Sequence, residues 1–121
     1  MLGAPGFAAA LSEISSWPGY SPTPLLPLPG LARELGVGTL WYKDERPRFG
    51  LKSFKALGGA YAVANVLRKK VAAVTGTPVT GQELLTGHHA SLVSMVTVTC
   101  ATDGNHGRSV AWGAQLFGCR C

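Results

Sequence analysis

Two points in this 121-residue sequence place groups capable of chemistry beside glycines, each where a β-like run gives way to a helical one. The first is Lys55, in Lys43-Asp-Glu-Arg-Pro-Arg-Phe-Gly-Leu-Lys-Ser-Phe-Lys-Ala-Leu-Gly-Gly-Ala-Tyr61. A single lysine at a strand-to-helix turn can hold an amine against a bound ligand. The second is Thr102-Asp-Gly-Asn-His-Gly107. Gly104 lets the backbone approach a ligand, and the helix start beyond it offers unpaired N–H groups to an anion such as a carboxylate. Asn105 can donate to a ligand oxygen or cap that helix. An amine, the carboxylate of Asp103 and an anion nest together suggest amine chemistry on a small acid.

Other reactive groups carry less. His88 and His89 are adjacent in a loop, so their side chains point in different directions and read as solvated, with no metal site expected. Cys100, Cys119 and Cys121 are an odd number without a secretory pattern, so free thiols are expected. Cys119-x-Cys121 lacks the second ligand pair of a structural zinc site. The formal charge of +5 is spread singly, apart from Lys43/Arg46/Arg48 and Arg68-Lys69-Lys70. The latter three are placed at a helix C-terminus, where cations complement the dipole. No groove-reading motif accompanies the charge, so a nucleic-acid partner is not expected. An anionic small ligand suits it as well.

An apolar fraction of 46 % with 14 % charged residues is that of a globular chain rather than a disordered one. No apolar run is long enough for a membrane span, and the first residues lack a basic n-region, so a cytoplasmic location is expected. Residues 1–20 hold a short helical pattern around Phe7, Leu11 and Ile14, closed by Trp17-Pro-Gly19. Tyr20 to Gly30 is proline-rich and extended, read as an arm covering a core. Leu31 to Leu35 makes a helical turn or two, ended by Gly36.

Thr39 to Lys43 reads as a strand. Phe54 to Val71 is a helix with Leu57, Tyr61, Ala64, Leu67 and Val71 on one stripe. Gly58 and Gly59 weaken it by roughly 1 kcal/mol each relative to alanine, which points to close approach by another backbone or by a ligand. Thr75 to Val79 is a turn, and Thr80-Gly-Gln-Glu83 fits a capping box opening a short helix. Ser91 to Ala101 reads as a central parallel strand. A helix then carries Val110, Ala111, Ala114 and Phe117 inward, stopped by Gly118. The order is that of an α/β domain with a parallel sheet and flanking helices, in which ligands gather at the C-terminal ends of strands. Gly118 to Cys121 looks like the approach to a further strand, so residues 1–121 are expected to be the N-terminal part of a larger fold.

Arg48-Phe-Gly-Leu-Lys-Ser-Phe-Lys55-Ala-Leu-Gly-Gly-Ala-Tyr61 and Thr102-Asp-Gly-Asn-His-Gly-Arg-Ser-Val-Ala-Trp112 resemble the pyridoxal-phosphate enzymes of the tryptophan-synthase β-like fold, fold type II. Tyr20-Ser-Pro-Thr-Pro-Leu25 and Trp41-Tyr-Lys-Asp-Glu45 fit the same pattern, so the resemblance covers most of residues 17–118. The Phe-Lys and Gly-Asn-His-Gly elements mark the wider family, which includes serine and threonine dehydratases. The Arg-Phe-Gly-Leu opening and the Asp before Gly-Asn-His-Gly favour its diaminopropionate ammonia-lyase branch.

The resemblance implies that Lys55 carries pyridoxal 5′-phosphate as a Schiff base and that Asn105 bonds the ring's 3′ oxygen. It implies that Thr102, Gly104, Asn105 and His106 hold the substrate carboxylate, and that Asp103 is a second base facing Lys55. Lys52 falls at a variable position and is expected to be solvated. The implied reaction removes the α-proton of 2,3-diaminopropionate and expels its β-amino group, giving pyruvate and ammonia. In this family the glycine-rich loop that grips the cofactor phosphate lies downstream, outside these residues, and the full enzymes are commonly dimers, so a homodimer is expected for the full-length enzyme. Two alternatives stay open: a serine/threonine dehydratase-type lyase, and a non-catalytic truncated chain or interaction module.

Overall fold

Seven small residues set the packing at the centre of the molecule. The computed structural model describes residues 3–102 and 104–121. Helix α1 spans Ala4–Ser15, strand β1 Leu25–Pro27, helix α2 Pro29–Glu34 and strand β2 Trp41–Lys43. Then come α3 at Lys55–Thr75, α4 at Gly81–Leu85, α5 at Ala90–Val93 and α6 at Asn105–Phe117. Along α3 the buried positions are Ala56, Gly59, Ala60, Val63, Ala64, Leu67 and Val71, a stripe at helical spacing. It faces Ser109, Val110, Gly113, Ala114 and Phe117 of α6.

Glycine is required on both sides of this contact. A Cβ on Gly59 would lie 2.0 Å from Ser109 Oγ, and one on Gly113 would lie 2.7 Å from Ala60 Cα. Residue 59 meets 109 and residue 60 meets 113, so the two helices run in the same direction. Their first turns therefore share one end of the molecule. The sequence places Ala111 on the inward face, but it is exposed, and Ser109 and Gly113 are buried instead. The neighbour is another helix at close range, which selects small residues.

Helix α3 runs past its expected end at Val71 to Thr75, where Gly76 stops it at φ +71°. Its last-turn signal is that glycine rather than the basic triplet. Arg68-Lys69-Lys70 thus lie more than a turn inside the helix, and Arg68 pairs with Glu13 of α1. Trp17, after α1, is 2 % exposed and packs among Phe49, Trp112 and Phe117.

The sheet departs from expectation. Strands β1 and β2 form an antiparallel pair with Leu25 opposite Lys43 and Pro27 opposite Trp41. The proline-rich arm is thus a strand partner with exposed residues, and it does not cover the core. Thr23 is its buried point. Ser91 to Ala101 is not a strand throughout, because its first residues close helix α5 through Val93 N–H to His89 O and Ser94 N–H to Ala90 O. Among the described residues parallel pairing is one bridge between Thr97 and Arg120, held by Val98 N–H to Arg120 O and Arg120 N–H to Val96 O. A parallel strand takes its ladder from distant chain, and among the described residues its ladder partner is Arg120.

Candidate functional site

Lys55 is the first residue of α3 and is exposed. Its N–H donates to Ser53 Oγ at 3.2 Å. The loop before it is shaped by an ionic knot. Arg48, 6 % exposed, donates to Glu45 Oε2 at 2.9 Å, to Ser21 O at 2.9 Å and to Thr23 Oγ1 at 3.1 Å. Thr23 Oγ1 also donates to Glu45 Oε1. The Arg48 hydrogen bond holds the Glu45 carboxyl below the usual glutamate range, against the opposing pull of partial burial. Lys43 Nζ donates to Thr23 O at 2.6 Å, and Arg46 pairs with Asp44 at 2.7 Å. Lys43, Arg46 and Arg48 are therefore each paired with an acid or carbonyl of the loop or the adjoining arm.

Phe49, at φ +48°, stacks on Trp112 with ring centroids 4.5 Å apart. That contact ties the loop before Lys55 to helix α6. Lys52 is exposed, as the sequence predicts.

The second motif opens α6. Gly104 holds the cap position without a side-chain cap, and Asn105 is the first helical residue. Thr102 caps instead: its Oγ1 accepts from Gly107 N at 3.0 Å and from Gly104 N at 3.3 Å. The capping role open to Asn105 is thereby filled, and Asn105 stands exposed beside the helix start. The Thr102 hydroxyl is committed to this backbone, which leaves to backbone donors the hold on a substrate carboxylate expected of the Thr102–His106 loop. His106 is exposed, and its carbonyl accepts from Ser109 Oγ at 2.7 Å. Asp103 lies outside the described residues.

The two motifs meet. Lys55, Phe54, Leu57, Gly58, Gly59 and His106 line one cavity of about 320 Å³. A neighbouring cavity of about 360 Å³ shares Gly59 and His106 and reaches Thr97 to Cys100. The adjacent glycines have separate reasons. Gly59 is demanded by Ser109, whereas a Cβ on Gly58 would meet nothing within 4 Å and face the cavity. Two helix N-termini, each carrying roughly half a positive charge, converge on this end and favour an anion there. A primary amine, an exposed amide and an anion-favouring cavity suit a small anionic carbonyl compound.

Sequence reasoning missed Thr102 as the cap. The signal was available in its spacing of three to five residues ahead of the first helical N–H groups.

The chain matches the family described as pyridoxal-phosphate dependent enzyme over residues 16–121. It is 45 % identical over 102 residues to diaminopropionate ammonia-lyase of Escherichia coli strain K12, covering 83 % of this chain and 24 % of that enzyme. It is 42 % identical over 101 residues to the enzyme of the same name from Salmonella typhimurium, covering 84 % and 25 %. The holo diaminopropionate ammonia lyase structure from Escherichia coli superposes with a TM-score of 0.73 and 36 % identity, covering 97 % of this chain and 29 % of that one. The structure of that lyase in complex with D-serine gives a TM-score of 0.71. The chain thus spans about a quarter of the length of the curated relatives it matches, and its fold is that of the α/β pyridoxal-phosphate enzymes.

Proposed function

The chain belongs to the pyridoxal-phosphate dependent enzyme family, and from that premise we propose that it supplies the lysine side of an active site that eliminates ammonia from 2,3-diaminopropionate. The supporting observation is the meeting of Lys55 and His106 on one cavity, at the shared end of two parallel helices. The same observation is the test of fit for pyridoxal 5′-phosphate. An aldehyde needs a primary amine, which Lys55 offers. The open space at Gly58 leaves room beside it.

In this reading Lys55 would hold the cofactor covalently and, as a free amine, would take the α-proton of the substrate. Asn105 donates to the cofactor's ring oxygen. Backbone donors of the Thr102–His106 loop hold the substrate carboxylate. Asp103 is the second base, an assignment that rests on the sequence pattern alone. The cofactor, when bound, supplies an electron sink for the charge left by that proton. Diaminopropionate and one water then give pyruvate and two ammonia.

The proposal extends to the protein as a whole. Residues 1–121 are the N-terminal part of a longer lyase, with the phosphate-gripping loop outside them, and the Thr97–Arg120 bridge belongs to a parallel sheet. The enzyme is a cytoplasmic homodimer of amino-acid catabolism. It binds no nucleic acid, in keeping with the pairing of Lys43, Arg46 and Arg48 within the protein. Among the described residues no helix is long and apolar enough to cross a membrane.

The test is a visible absorption spectrum after adding pyridoxal phosphate and removing the excess, beside Lys55→Ala, followed by pyruvate assays. A retained cofactor band that is lost in the variant, with pyruvate formed fastest from diaminopropionate, is the expected result. Equal bands in both proteins would remove Lys55 from the site. Faster turnover of serine or threonine would move the enzyme to the dehydratases.

A further inference from the structure

We propose that Glu83, His88 and His89 form a site for one divalent transition metal of the zinc class. One ligand atom from each residue lies within 4.8 Å of the others. Both ends of the five-residue helix α4 contribute to this placement. At its start, Thr80 and Glu83 form a reciprocal cap: Glu83 N–H donates to Thr80 Oγ1 at 3.2 Å. In return Glu83 Oε2 accepts from Thr80 N at 2.7 Å and from Thr80 Oγ1 at 2.8 Å. This pins one carboxylate oxygen and orients the other.

At its end, Gly87 adopts φ +73°, Gly87 N–H donates to Leu84 O at 3.2 Å and His88 N–H donates to Glu83 O at 3.0 Å. That pair of bonds is the Schellman closure, which folds the chain back over the last turn. It sets His88 beside the residue that caps the other end.

His89 is held from the opposite side. Its carbonyl accepts from Leu92 N and Val93 N at 3.0 Å each, so it is the cap of α5. The sequence leads to two solvated, diverging histidines, but the rings lie 4.8 Å apart and nearly perpendicular. His89 is half-buried, and its Nε2 is buried with no hydrogen-bond partner among the described residues. An unpartnered buried imidazole nitrogen costs free energy that a metal bond would recover.

Two imidazoles and one carboxylate are the donor set of zinc sites that keep a fourth position for water. Tetrahedral zinc with bonds of about 2.0 Å spaces its ligand atoms by roughly 3.3 Å. The exposed His88 ring can close that gap by rotating, since its backbone alone is fixed. A bound metal would clip the loop between α4 and α5 to both helices.

The experiment is calorimetric titration of the chelator-treated protein with Zn2+, alongside His88→Ala and the double variant Cys119→Ser/Cys121→Ser. His88 is the variant of choice because it is exposed and caps nothing, so the fold stays intact. The expected result is one Zn2+ per chain, bound at least roughly tenfold more weakly by His88→Ala and equally well by the cysteine variant. Zn2+ should also raise the melting temperature of the wild type but not of His88→Ala. Absence of 1:1 binding, a loss in His88→Ala below tenfold, or loss in the cysteine variant would each overturn the site.

Discussion

The hydroxyl of Thr102 accepts the Gly107 N–H at 3.0 Å, while its methyl occupies the space a side chain at 107 would need, 2.2 Å from an added Cβ. One residue thus both caps the second motif and forbids a side chain within it. Gly107→Ala should destabilise the protein by about 1 kcal/mol, a clash of roughly 1–3 kcal/mol offset by up to about 1 kcal/mol of helix propensity. Thr102→Ser keeps the hydroxyl and removes the methyl. In that background Gly107→Ala should be neutral or stabilising. Urea unfolding of the four proteins reads the coupling, and a Gly107→Ala cost unchanged by Thr102→Ser would contradict it.

The neighbouring glycines of α3 should respond in opposite ways. Gly59→Ala forces Ser109 aside and breaks its bond to the His106 carbonyl, so a loss of roughly 1–3 kcal/mol is expected. Gly58→Ala meets no atom within 4 Å and should gain up to about 1 kcal/mol of stability. Its methyl enters the cavity beside Lys55, however, so pyridoxal-phosphate retention should fall in Gly58→Ala despite the firmer fold. Thermal melting together with cofactor titration separates the two effects. Equal melting temperatures for the two variants would show that α3 and α6 are not packed as closely as described.

Much of this was legible in local pattern. The lower half of the α3 stripe at Ala64, Leu67 and Val71, the capping box of α4 and the Gly118 stop of α6 each depend on residues within a few positions of one another. Leu57 and Tyr61, expected on that stripe, are only partly buried, and Ala56, Gly59, Ala60 and Val63 take the close contact. What was illegible depends on distant chain. An apolar run such as Ser91 to Ala101 has no period that separates strand from helix, and its first residues lie in the Ala90–Val93 helical turn. The pairing of Trp41–Lys43 with the proline-rich arm, and the choice of Gly113 over Ala111 as the buried position, follow from which neighbour arrives. Lys55 and the Asn105 motif were legible as separate loops. Their meeting required the parallel α3–α6 contact, which no local pattern contains.

The knot around Arg48 predicts an acid limb in stability. Glu45 has a folded pKa below its unfolded value, so its contribution is complete above the unfolded glutamate range, about pH 4.3, and is lost as pH falls through the folded value. Glu45→Gln should cost roughly 1–3 kcal/mol at neutral pH, because the Arg48 guanidinium is nearly buried and Glu45 keeps 17 % exposure. Below about pH 4 the variant and the wild type should converge. Urea midpoints measured across pH test this, and a constant gap down to the acid limit would assign the loop's shape to something other than this pair. Asp44, whose carboxyl is also held low by Arg46, should leave a residual slope in the variant.

Lys52 offers the complementary gain. Its backbone sits at φ +57°, its side chain is exposed, and no hydrogen bond holds it there among the described residues. Left-handed backbone costs a residue with a Cβ roughly 1–2 kcal/mol, and glycine removes that cost while adding freedom to the unfolded chain. Lys52→Gly should therefore stabilise by roughly 0.5–1 kcal/mol, and Lys52→Asn by less, since asparagine tolerates this region only in part. Lys55, three residues on, keeps its place at the start of α3 in either variant, so the cofactor absorption should not change. A loss of stability in Lys52→Gly would mean that the lysine side chain braces the turn. The same loss in Lys52→Met, which keeps the alkyl stem without the charge, would then trace that bracing to the ammonium group.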